Sequence, residues 1–226
     1  MVSPFLSDPD HDRVSAAVSA AEAHTAGEIV TIVTGRSDGY WDIALAWSAF
    51  VAGLALTVYS AMPDFYLGLI DRVTGAWASE WTIREVLFLA SVGATLKFLG
   101  TLGLQLWQPL RLFLVPGPVK HARVRNRAVT CFKVGAERRT HGRTGILIYL
   151  SMAEHRAEIV ADEAIASKVD AEVWGEAMAA MLTELKAGRV ADGMIAAVER
   201  VGKVLAEHFP RAEDDVNELP DRLIEV

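Results

Sequence analysis

IALAWSAFVAGLALTVYSAM, residues Ile43–Met62, is a run of twenty positions without a charge, in a chain whose other stretches read as soluble. A second apolar run, Val86–Trp107, follows a polar gap and carries Lys97 as its lone charge. About 20 apolar residues in helical conformation cross a hydrocarbon core of roughly 30 Å. Uncharged helices of this length exceed what a small domain can bury. The reading is therefore a two-helix transmembrane hairpin (residues 41–110) with spans at about 43–62 and 86–107. A hairpin returns the chain to the side it left.

Charge then assigns the sides. Nine basic residues and a single acid, Glu137, lie between Trp107 and Arg143; the basic set includes Arg111, Lys120, Arg123, Arg125, Arg127 and Lys133. The connector Pro63–Glu85 carries Arg72 and Arg84 against Asp64, Asp71, Glu80 and Glu85. Basic residues near span ends stay cytoplasmic, so both termini are expected inside, in the inner membrane. The connector FYLGLIDRVTGAWASEW is itself half apolar and suits the membrane interface. Trp41, Trp47, Trp77, Trp81 and Trp107 bracket the two runs, as headgroup-level aromatics do. The single cysteine, Cys131, excludes an internal disulfide and fits a reducing compartment. The opening MVSPFLSDPDHD is acidic and too poor in apolar residues for a cleavable signal.

The remaining sequence reads as α/β. Asp8–Gly27 has helical spacing (Val14, Ala17, Val18, Ala21), with Asp8 placed to cap it, Pro9 at the first position and Gly27 past the end. EIVTIVT, Glu28–Thr34, is a continuous β-branched strand of the kind buried on both faces. After the hairpin, PLRLFLVPGP (Pro109–Pro118) is a breaker and Val119–Arg139 a basic helix with Ala122, Ala128, Val129, Phe132 and Ala136 for packing. ILIYLS, Ile146–Ser151, is the strongest strand signal, and MAEH turns it back into Arg156–Val160. Ala171–Lys186 and Val190–His208 are amphipathic helices, and the acidic tail, 211–226, is expected to be loosely ordered. Two buried strands joined through a helix should be parallel. The expected domain is thus discontinuous, residues 1–40 and 111–210, with the hairpin inserted between a strand and its crossover helix.

A strand opening on T-x-G-E-I (Thr25, Gly27, Glu28, Ile29), a helix, R-T-G-I-L-I (Arg143–Ile148), a hairpin and two closing helices resembles the TPM domain. With two transmembrane helices inside the domain and D-V-N-E-L-P-D-R-L at Asp215–Leu223, the chain is similar to the bacterial membrane-inserted members. The resemblance implies a small Rossmann-like α/β sandwich of three layers, a mixed sheet with flanking helices. It also implies association with phosphatase activity, calcium binding, or assembly of membrane complexes. The G-Y-G-hydrophobic-E segment of soluble members is replaced here by Asp162, Glu163, Ala164, Ile165 and Ala166, which weighs against the first two.

No P-loop, G-x-G-x-x-G, G-x-S-x-G or paired CxxC occurs, so strong catalytic signatures are missing. Asp38, after the first strand, and Asp162 with Glu163, at a later strand end, are the candidate ligands of a calcium or magnesium ion, which prefers carboxylate oxygens. The E-H-R-A-E stretch (Glu154, His155, Arg156, Glu158) reads as a polar turn. His24 and His141 read as surface histidines, and Cys131 as packed. Lys120, Arg123, Arg125 and Arg127 follow a span and are candidates for anionic lipid headgroups; the acidic body, net charge -7, argues against nucleic acid. Lys97 suits packing or snorkelling. The leading expectation is a cytoplasmic-face interaction or assembly module bound to another membrane protein or complex. A divalent-metal-dependent phosphatase and a small channel formed as a homo-oligomer are the alternatives.

Overall fold

The structure, a computed structural model, describes residues 5–75, 80–135, 144–211 and 221–226. In chain order it contains α1 (Asp8–Glu22), β1 (Glu28–Thr34), α2 (Trp41–Ala61), α3 (Pro63–Thr74), α4 (Ile83–Leu104), α5 (Gln108–Leu114) and α6 (Gly117–Gly135). These are followed by β2 (Gly145–Ser151), β3 (Arg156–Ala161), α7 (Glu163–Ala166), α8 (Ala171–Lys186), α9 (Val190–His208) and β4 (Ile224–Glu225). Trp77, Ala136, Glu137, Arg138, Arg139, His141, Arg143 and most of the D-V-N-E-L-P-D-R-L motif lie outside the described residues. The chain divides into two units, Met1–Asp38 with Gly117–Val226, and Gly39–Pro116.

The first unit is built on a mixed four-stranded sheet of order β3-β2-β1-β4. β1 and β2 run parallel over seven residues each, Glu28 opposite Gly145 and Thr34 opposite Ser151. Every residue of both strands is buried, which is why their sequences are continuous rather than alternating. The two faces still divide with the two-residue period. Ile29, Val33, Ile146, Ile148 and Leu150 pack with α1, α8 and α9, whereas Val30, Ile32, Leu147 and Tyr149 pack with Val124, Ala128 and Phe132 of α6. The result is the expected three-layer α/β arrangement.

Three local readings change. Ser7, not Asp8, caps α1, its hydroxyl accepting from the Asp10 N–H at 3.4 Å; Asp8 already lies inside the first turn. Val124 takes the inward position on α6 and Ala122 is exposed. The chain's last residues are not a loose tail: β4 pairs parallel with β1 and Leu223 is buried in the main core. Two residues are too few to show a period, so nothing in the acidic composition signals this strand.

α9 crosses α1 at Gly202, where an added Cβ would sit 2.6 Å from the Ala21 Cβ and 3.4 Å from its Cα. Backbone lies behind that contact, so the helices must separate to admit a side chain. Gly202→Val should destabilise the unit by about 2 kcal/mol through overpacking, read from the urea midpoint.

In the second unit α2 and α4 pack on each other, with Ala44, Ser48 and Ala94 buried between them. The Gln105 side-chain N–H donates to the Ala44 carbonyl at 3.1 Å and to Ser48 Oγ at 3.2 Å. Arg111, on the short helix that replaces the expected breaker, donates to the carbonyls of Gln105 and Gly39, both at 2.9 Å, and lies over the Trp41 ring at 4.1 Å. The connector forms the amphipathic helix α3. Met62, Phe65, Leu69 and Val73 are exposed along one side of it.

Candidate functional site

In an open α/β sheet the carboxyl ends of parallel strands gather loops and ligands. Here those ends are Thr34 and Ser151. The loop after β1 is held to β2 by backbone bonds from Met152 N–H to the Thr34 carbonyl and from Ala153 N–H to the Gly35 carbonyl, both 3.0 Å. Side chains then close a buried network. Ser37 Oγ lies 3.0 Å from the Tyr149 hydroxyl and 3.0 Å from Ser151 Oγ. The Ser37 N–H donates to one oxygen of Glu154 at 3.0 Å and the Ser151 hydroxyl donates to the other. Glu154 is 6% exposed. Burial pushes the Tyr149 phenol above its ordinary range, opposed by its bond to Ser37.

Asp38 ends this loop and forms an ion pair with Arg123 of α6 at 3.1 Å. Asp162 and Glu163 are elsewhere. β3 runs antiparallel to β2, so its carboxyl end returns to Gly145 at the start of β2. Six residue steps at about 3.3 Å place that end roughly 20 Å along the sheet from Thr34. The structure therefore does not bring Asp38 together with Asp162 and Glu163, because a hairpin reverses the strand. Asp162 is buried, and its carboxylate accepts from the Gly145 N–H at 3.1 Å while its own N–H donates to the Gly145 carbonyl at 2.9 Å. Glu163 is exposed at the start of α7. Among the described residues no three His, Cys, Asp or Glu side chains converge as a cation site.

The other candidates fall as follows. Arg125 pairs with Glu158 of β3 at 3.5 Å, and His121 Nδ1 reaches the same carboxylate at 3.3 Å. Arg127 is exposed and Lys120 half-buried. Lys97 is exposed on α4. His24 is exposed, and Cys131 is half-buried with its thiol pushed up by burial. The E-H-R-A-E turn forms as expected, with His155 at φ +50°, but it is not merely polar surface, since Glu154 and Glu158 are both buried.

At the opposite end of the sheet Glu22, the last residue of α1, points under β1. Its Oε1 accepts from the Ile29 N–H at 2.7 Å. Burial raises its carboxyl to about 8, with Glu28 and Asp221 nearby adding to the rise and the Ile29 bond opposing it.

Residues 120–204, which span α6 through most of α9 and include the β2–β3 hairpin, match the family model of the TPM domain. Over that stretch the chain is similar to the TPM domain. A solved structure similar to this chain is the NMR structure of the BA42 protein from the psychrophilic bacterium Bizionia argentinensis. The two are 18% identical, with a TM-score of 0.57 over 100% of this chain and 99% of that one, a likeness of fold. None of the curated proteins matches. In the α/β unit the carboxyl-end network ties the loop after β1 to β2 and to the β2–β3 turn. Glu154 has a donor on each oxygen, and Ser37 Oγ is within hydrogen-bond distance of the Tyr149 and Ser151 hydroxyls.

Proposed function

We propose that the protein is a membrane-anchored TPM-domain protein whose α/β unit acts on the cytoplasmic face as an interaction module for another membrane protein or complex. One observation carries the membrane part. α2 and α4 are 21 and 22 residues long and apolar enough to span a bilayer, yet only 11% and 6% of their most apolar windows are buried. Core helices of a soluble protein would be mostly covered. Phe50, Leu54, Leu87, Phe88, Leu96 and Leu99 are all exposed, an apolar surface that water disfavours and lipid accepts. The aliphatic stem of Lys97 can carry its ammonium toward the interface. The separation of Asp38 from Asp162 and Glu163 gives the phosphatase reading no support.

Membranes washed with alkaline carbonate should retain the whole chain, and release into the supernatant would overturn the anchor. Sidedness follows from single cysteines in a Cys131→Ser background. Val73→Cys, 79% exposed on α3, should react with an impermeant maleimide in intact spheroplasts, and Val134→Cys, 76% exposed on α6, only after permeabilisation. The reverse pattern would invert the topology.

A further inference from the structure

Among the described residues β3 is an edge of the sheet, and its outer side can be phased. The Asp162 N–H donates to the Gly145 carbonyl, and residues opposite each other alternate between exchanging two bonds and none. Asp162, Val160, Glu158 and Arg156 therefore turn their backbone groups toward β2, given the continuous register from Ile146–Ala161 to Ser151–Arg156. The N–H and C=O groups of Ala157, Ile159 and Ala161 point outward. Native edges are commonly guarded by proline, lysine or a bulge. These three positions carry none of them.

A groove of about 480 Å³ follows that edge. Val169, Trp174 and Met178 line it on the α8 side, and Arg125 of α6 on the other. Gly175 of α8 also lines it, and a Cβ added there meets nothing within 4 Å. A glycine inside an exposed helix costs about 1 kcal/mol relative to alanine. In α9 packing explains that cost: a Cβ added at Gly193 would lie 3.1 Å from the Met181 carbonyl oxygen, and one added at Gly202 would meet Ala21. At Gly175 the space is empty, and close approach of another backbone is what a missing side chain permits.

We propose that this edge captures an extended segment of a partner protein as a fifth strand, its side chains alternating between acidic toward α6 and apolar toward α8. The proposal deepens the interaction reading and rests on it. Strand addition satisfies the outward groups of Ala157, Ile159 and Ala161, and pockets for alternate side chains give selectivity. The α6 side is cationic: Arg125 is 61% exposed, and its 3.5 Å approach to Glu158 is longer than a normal hydrogen bond, leaving donors for an incoming carboxylate. The α8 side is apolar. The edge lies in a groove with a wall on either side, which admits one strand; a second copy of the chain would bring its own α8 against the first.

The test uses the full chain in detergent micelles and a fluorescein-labelled nine-residue peptide of alternating valine and glutamate. Saturable binding by anisotropy is expected, with slowed amide exchange at Ala157, Ile159 and Ala161. A valine–lysine peptide should bind at least tenfold more weakly, and a valine–glutamate peptide N-methylated on alternate amides should fail. Gly175→Leu places a side chain in the groove from a position where the added Cβ meets nothing within 4 Å, and it improves helix propensity. It should lose binding at least tenfold while melting no lower than the parent. Equal affinity for the lysine peptide, or unchanged binding to Gly175→Leu, would overturn the proposal. Self-association abolished by Gly175→Leu, without peptide binding, would assign the edge to a second copy instead. Peptide binding that persists while carbonate releases the chain from membranes would break the anchor reading and leave this one standing.

Discussion

Between pH 4.5 and 8 the stability of the α/β unit should decline, and the decline should be largely missing from Glu22→Gln. The Glu22 carboxyl titrates at about 8 in the folded protein, against 4.5 ordinarily. Its burial beneath β1 is the first cause, and Glu28 and Asp221 oppose a further negative charge. Within that window the folded chain keeps a proton that the unfolded chain releases, so stability falls as pH rises. The contribution is whole below 4.5 and gone above 8. Each pH unit is worth about 1.4 kcal/mol, which makes the loss on the order of 4 kcal/mol. Glutamine retains an oxygen to accept the Ile29 N–H, now 2.7 Å from the carboxylate, and cannot ionise. Urea unfolding followed by circular dichroism at pH 5 and pH 8 measures it. Parallel pH slopes for parent and variant would refute the assignment.

The parts of the fold that announced themselves are those where one residue pattern has one physical solution. EIVTIVT and ILIYLS could only be central strands, since both faces of β1 and β2 are covered by helices. The parallel pairing followed from the intervening crossover. α9 showed its inward face, and Met194, Val198, Val201 and Leu205 are fully buried. α8 was less readable, with Val173 and Leu182 exposed and Ala177 and Met181 buried. β4 left no trace, because a two-residue strand draws its stability from pairing with β1 rather than from its own sequence.

The candidate site was harder to see, for a geometric reason. Grouping Asp38 with Asp162 and Glu163 treats every strand end as equivalent, whereas the β2–β3 reversal sends Asp162 to the far end of the sheet. Counting strand directions along the predicted hairpin would have separated them. The network at the near end did leave one signal. Tyr149 and Ser151 are two residues apart on an otherwise apolar strand, so both polar groups face the same side and both need partners. What the sequence cannot give is that the partners are Ser37 and Glu154, 112 and 3 residues away.

Glu154→Ala should destabilise the α/β unit by about 3–5 kcal/mol, since hydrogen bonds to a charged group contribute roughly 1.5–3 kcal/mol each. The carboxylate accepts from the Ser37 N–H on one oxygen and from the Ser151 hydroxyl on the other. Removing it strands a buried backbone donor, which cannot rotate away, and frees a hydroxyl, which can. The loss should thus fall most heavily on Ser37 and the loop that ends at Asp38. Glu154→Gln keeps one acceptor but turns an N–H toward the second donor, so about half the loss is expected. Amide exchange distinguishes a local pin from general damage. The Ser37 amide should open faster in Glu154→Ala by more than the Ile148 amide at the centre of β2. Equal acceleration of both would make Glu154 an ordinary contributor to global stability, and a urea midpoint equal to the parent's would remove it from the network. If the difference holds, a turn that reads as polar surface is the clamp on the segment where the chain leaves the α/β unit.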